Sequence, residues 1–108
     1  MTDFVQVNIS CPDVDVANTI ATTLVNDKLA ACTQLLAPIT STYQWQGQVE
    51  TNTEYLLLAK THHSLFSRLE DKVKQIHPYQ VPEIIACPIQ QVSDDYRTWL
   101  ANSCLIAE

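Results

Sequence analysis

Residues 54–61 read Glu54-Tyr55-Leu56-Leu57-Leu58-Ala59-Lys60-Thr61. The middle of this run is apolar without alternation, so a strand through it has two dry faces. Such a strand belongs in the middle of a sheet or beneath a contact with another subunit. On its N-terminal side, residues 33–45 are β-rich and interrupted by Pro38, which marks an edge or a bend because proline donates no ladder hydrogen bond. Ser41-Thr42-Tyr43-Gln44-Trp45 alternates, and Gln46-Gly47 follows with the only glycine of the chain. A sole glycine between two strand-like runs predicts a tight hairpin turn that needs positive φ.

Further toward the N-terminus, Val5, Val7 and Ile9 alternate with Gln6, Asn8 and Ser10, the pattern of a half-buried strand over 4–10. Pro12 breaks it. Asp13 is placed to cap a helix over 14 to about 31, with Asp15 in its first turn and a stripe of Ala17, Ile20, Ala21, Leu24 and Val25. Beyond residue 61, Ser64 is the expected cap of a second helix carrying Leu65, Leu69, Val73 and Ile76, and Pro78 stops it. Ile84-Ile85-Ala86-Cys87 predicts a fourth strand within 83–89. Ser93-Asp94-Asp95 opens a third helix in which Tyr96, Trp99 and Leu100 share a face.

The order is β-α-β-β-α-β plus a C-terminal helix, the ferredoxin-like α+β arrangement of an antiparallel sheet with two helices on one face. The other face is then bare, and a further copy of the chain is its simplest cover. The 108 residues are expected to form one domain, 1–108. Charged residues make up 17% of the chain, which hints that some surface is shielded by a partner.

The formal net charge is −6, so nucleic acid is not an expected partner. No segment approaches the ~20 apolar residues of a membrane span, and Met1-Thr2-Asp3-Phe4 has no basic, apolar leader character; the expected location is cytoplasmic. Of the four cysteines, Cys11, Cys32, Cys87 and Cys104, none are in C-x-x-C spacing. The first three sit in or beside apolar runs and are expected to be reduced and mostly buried. Enzyme signatures are missing. There is no glycine-rich phosphate loop, no G-x-S-x-G and no H-E-x-x-H, and Arg68 and Arg97 both lie within predicted helices. The chain is therefore not expected to be an enzyme.

Lys28-Leu29-Ala30-Ala31-Cys32, Tyr43-Gln44-Trp45-Gln46-Gly47, residues 55–61 and His77-Pro78-Tyr79-Gln80-Val81-Pro82-Glu83 occur in this order. With Tyr96 and Trp99 they resemble the CutA divalent-cation tolerance family over nearly the whole chain. The resemblance implies a homotrimer similar in architecture to the PII signalling proteins, a link to copper or another divalent cation, and no organic cofactor. In bacterial relatives the copper ligands are assigned to a cysteine late in the first strand and two histidines before the Pro-Tyr pair. His77 matches the second histidine; Ile76 replaces the first. The family cysteine falls at Ile9, with Cys11 two residues on, and the two share a strand face only if the strand runs past Ser10.

His77 has a second reading as a helix-terminal residue that satisfies a carbonyl. His62 and His63 are expected to be exposed and open to adventitious metal. Lys60, Tyr79 and Glu83 form either a structural network, with a Lys60–Glu83 ion pair at an intersubunit seam, or a small-molecule or ion pocket between subunits, as PII similarity implies. Structure is the preferred reading. Tyr43, Trp45, Tyr96 and Trp99 are read as interface and core aromatics.

Overall fold

The computed structural model describes residues 3–105. Met1, Thr2 and residues 106–108, which the single-domain expectation includes, lie outside the described residues. The elements are β1 (Phe4–Cys11), α1 (Val14–Asn26), β2 (Cys32–Trp45), β3 (Gln48–His62), α2 (Phe66–Ile76), β4 (Ile84–Pro88) and α3 (Asp94–Ser103). The four strands form one antiparallel sheet in the order β2-β3-β1-β4. Expectation and structure agree here: the run with two dry faces lies in β3, which pairs with both β1 and β2.

Period-2 alternation sorts the side chains. Val7, Ile9, Leu57 and Ala59 point to one face, where they close on Ala17, Ile20 and Leu24 of α1 and Leu69 and Val73 of α2; all are almost fully buried. The opposite face carries Leu36, Leu56, Leu58 and Ile85 with Asn8, Gln34 and Lys60. Leu36 and Ile85 are each 51% exposed, so this face is bare in the single chain, as the element order predicts. The buried Oδ1 of Asn8 on it has no hydrogen-bond partner among the described residues.

The hairpin is longer than the sequence implies. β3 begins at Gln48, and from Glu54 to Gln48 it pairs only with β2, so the two strands leave the sheet as a two-stranded arm. The arm explains extents of 45 × 25 × 21 Å. A bulge between Leu36 and Ile39, containing a cis Ala37-Pro38 bond, marks where it departs. At its tip Gln46 and Gly47 take φ of 51° and 79°, the left-handed pair of a type I′ turn.

Three local expectations are corrected. First, α1 ends at Asn26, not near residue 31. Lys28 takes φ 58°, its N–H bonds Val25 O at 3.1 Å and Leu29 N–H bonds Leu24 O at 2.9 Å, which is a Schellman stop made without glycine. Second, Ser64 does not cap α2. A 3-10 turn, His63–Leu65, intervenes, and the His62 side chain caps it by accepting from Ser64 N–H. Third, Cys87 is exposed and Cys32 half-buried, because the register places both on the uncovered face; Cys11 and Cys104 are buried, and all four are free thiols.

Candidate functional site: an acidic cleft at the base of the arm

Pro78 stops α2 and sends residues 77–83 back across the end of β1. This connection and the base of the arm enclose a cleft of about 730 Å³ lined by Ser10, Tyr43, Trp45, Glu54, Tyr79 and Glu83 among others. Its floor is a relay of hydrogen bonds. His77 is the C-terminal cap of α2 and only 7% exposed. Its Nε2–H donates to Ser10 O at 2.7 Å, while Nδ1 accepts from Tyr79 N–H at 3.2 Å. The two bonds assign the neutral tautomer protonated on Nε2. Tyr79, held by that bond, donates its hydroxyl to Glu54 Oε2 at 2.9 Å. On the other wall Ser10 donates its hydroxyl to Glu83 Oε1 at 3.3 Å.

Glu54 is the unusual member. It is 5% exposed, and Tyr79 is its hydrogen-bonding partner. The cleft holds two carboxylates and, among the described residues, no Lys, Arg or His lines it. Nearby groups register the charge. Burial, the hydrogen bond to Glu54 and its negative charge push the Tyr79 phenol up to about 12. Burial first, then the charges of Glu54 and Asp13, push the Cys11 thiol up to about 11. Cys11 is thus a protonated thiol at neutral pH.

Each residue singled out from the sequence has a definite place. Tyr79 and Glu83 line the cleft and His77 braces its floor. β1 runs through to Cys11, so Ile9 and Cys11 do share the helix-facing side. Lys60 stands apart. Its Nζ donates to Gln34 Oε1, and it pairs in register with Gln6, whereas Ser10 beside Glu83 pairs with Leu56. Four strand residues, roughly 13 Å, separate those registers. Within one chain no Lys60–Glu83 ion pair forms among the described residues. Tyr43, Trp45, Tyr96 and Trp99 are each at least 36% exposed, so none is a core aromatic of the single chain. Glu54 was missed in the sequence because it reads as the polar start of an apolar strand; its burial needs the arm and the 77–83 connection on either side.

Residues 5–103 match the model of the family described as CutA1 divalent ion tolerance protein. The chain belongs to the CutA1 divalent ion tolerance family. The divalent-cation tolerance protein CutA of Thermus thermophilus is 47% identical over 95 residues, which cover 88% of this chain and 92% of that one. The solved CutA1 of Oryza sativa superposes with a TM-score of 0.94 at 37% identity, covering 98% of this chain and 97% of that one. The chloroplastic CutA of Arabidopsis thaliana is 41% identical over 97 residues, 90% of this chain but 53% of the plant protein, so the chain spans about half the length of that relative. The ferredoxin-like fold expected from the element order is therefore the fold of the CutA1 family.

One expectation is overturned. A solved relative from Archaeoglobus fulgidus, with a TM-score of 0.90 at 33% identity over 93% of this chain and 97% of that one, is named a periplasmic divalent cation tolerance protein, and the Arabidopsis relative is named chloroplastic. A cytoplasmic location does not follow for a CutA1 chain. The shared domain does not encode its compartment, so its composition could not reveal one.

Proposed function

We propose that this chain serves divalent-cation tolerance as a binding protein rather than a catalyst, and that the acidic cleft takes the cation. The observation that supports this reading is Glu54, a buried carboxylate with a phenol for a partner and no positive side chain beside it among the described residues. A buried ionised carboxylate is costly unless a positive charge meets it. A divalent ion between Glu54 and Glu83 supplies that charge.

Copper capture there is conditional. Carboxylate and phenol oxygens suit hard cations, whereas copper prefers imidazole and thiolate. His77 becomes a ligand only by releasing Ser10 or Tyr79, and Cys11 only by losing its proton. Weak, pH-dependent copper binding is the expected behaviour. Calorimetric titration of Cu(II) and Mn(II) into wild type, Glu54→Gln and His77→Ala tests it. Glu54→Gln is expected to weaken both ions by about tenfold or more, as loss of a ligand or its support does. His77→Ala is expected to weaken copper alone. Identical titrations for wild type and Glu54→Gln would sink the reading.

A second reading, a trimeric PII-like scaffold with a small ligand or partner in intersubunit clefts, is favoured by the arm. An isolated two-stranded ribbon is marginal in water, and this one exposes Val49 at 64% and Trp45 at 43%. Arms laid on neighbouring copies would be supported, and each cleft would become a seam. Lys60 would then have its remaining route to Glu83, across subunits. Thermal-shift screening of nucleotides and organic acids tests the ligand; no stabilisation by any of them counts against it.

A further inference from the structure

Asp3, His62 and His63 gather at the far end of the sheet from the cleft. β1 begins there, with Phe4 opposite His62, and reaches the cleft at Cys11 opposite Tyr55, seven residues or roughly 23 Å away. The potential ligand atoms of the three side chains all lie within 4.8 Å of one another. We propose that these three residues form a second divalent-cation site, with two imidazole nitrogens and one carboxylate oxygen as donors.

The fold builds the cluster. Neighbours in a strand point to opposite faces, but His62 ends β3 and His63 starts the 3-10 turn, and the change of course stacks their rings at 4.5 Å between centroids. A backbone bond from His63 N–H to Asp3 O, 2.8 Å, ties residue 3 beside them. Phe4 packs edge-on against His62 at 5.4 Å. His62 is also held in place by its neighbour. Ser64 holds its Nδ1, through the hydroxyl at 2.7 Å and the backbone N–H at 3.2 Å, so Nε2 is the free nitrogen. Because Nδ1 accepts from the Ser64 N–H, the neutral ring carries its proton on Nε2; a cation binds Nε2 when that proton shifts to Nδ1, which then donates to the Ser64 hydroxyl in place of the backbone contact.

A tetrahedral ion with ~2.1 Å bonds wants its donors ~3.4 Å apart. The cluster must therefore tighten, and Asp3 and His63 are exposed side chains free to do so. Arg97 is the competitor. Its Nη1 lies 3.5 Å from Asp3 Oδ2, leaving Oδ1 for a metal. The donor set selects a borderline transition ion such as Cu(II) or Zn(II) over Mg(II) or Ca(II).

This site is independent of the cleft reading, and one experiment separates them. Cu(II) is titrated into the full chain and followed by electron paramagnetic resonance and by affinity, in wild type, His63→Ala, Arg97→Ala and Glu54→Gln, with circular dichroism confirming the fold. The expected result is a copper signal split by two imidazole nitrogens. His63→Ala is expected to weaken that ion about tenfold or more. Arg97→Ala is expected to tighten it, and Glu54→Gln to leave it unchanged. An unaltered signal in His63→Ala, a signal lost in Glu54→Gln instead, or binding no tighter than that of free imidazole overturns the proposal.

Discussion

Burial and the bond to Glu54 hold the Tyr79 phenol near 12, above its ordinary 10.0. A folded-state value raised above the unfolded one gives stability that is complete below the unfolded value and lost as pH rises through the folded one. Tyr79 therefore contributes fully below pH 10 and loses its contribution as pH climbs to about 12. Cys11 does the same between 9.0 and about 11. Replacing Tyr79 by Phe leaves the buried Glu54 without its donor, which is expected to cost about 1–3 kcal/mol at pH 7. The same variant is expected to lose stability less steeply on the alkaline side. Guanidine unfolding midpoints from pH 7 to pH 12 check both; a Tyr79→Phe curve parallel to wild type would show that the phenol does not titrate with folding. From sequence, His77 was legible as a helix-terminal residue or a match to a family ligand, and Tyr79 as part of a network or pocket with Lys60 and Glu83. Their relay was not, because it joins Ser10, Glu54, His77 and Tyr79 across chain separations of 25 and 67 residues.

The elements that matched best are those whose signals are local and redundant. β1 alternates strictly, α2 carries a regular stripe ended by proline, and Gln46-Gly47 names its own turn. Where one side chain stood in for the usual signal, the reading slipped. Lys28 took the left-handed position that glycine or asparagine marks at a helix end, and His62 took the capping role that Ser64 advertises. The arm was read short because residues 48–53 alternate nothing apolar, and its strand form comes from pairing with β2 alone. The turn at its tip can be tested by itself. A Cβ on Gly47 would meet nothing within 4 Å, so only its φ of 79° resists a side chain. Gly47→Val is expected to lose about 1–2 kcal/mol and Gly47→Asn less, since asparagine tolerates the left-handed region. Urea unfolding of both variants measures the difference; equal costs would mean that the backbone at this turn is not what limits it.

At the level of the molecule, one sheet face is packed by helices and the other is not. Leu36 and Ile85 on that face remain exposed, as do Tyr96 and Trp99 on α3, and the arm is unsupported by its own chain. Patches of this kind mark contacts with other chains. A homotrimer is the expected state in sedimentation at micromolar concentration. Val49→Asp, a charge on the exposed arm, is expected to shift it toward smaller species. A wild-type monomer under those conditions would remove the assembly from the account. The same lack of cover explains the exposed Cys87: its apolar neighbours signalled burial, but the strand register turned it to the open face.

Period, caps, proline and the single glycine carried the element order, the central place of β3 and hence the ferredoxin-like sheet, because each acts over a few neighbouring residues. The motifs carried the family. The acidic cleft, the buried Glu54, the neutral His77 and the Asp3–His62–His63 cluster had to wait for the folded chain. Their properties come from which distant segments meet and exclude water, and burial is a property of that meeting rather than of any stretch of sequence.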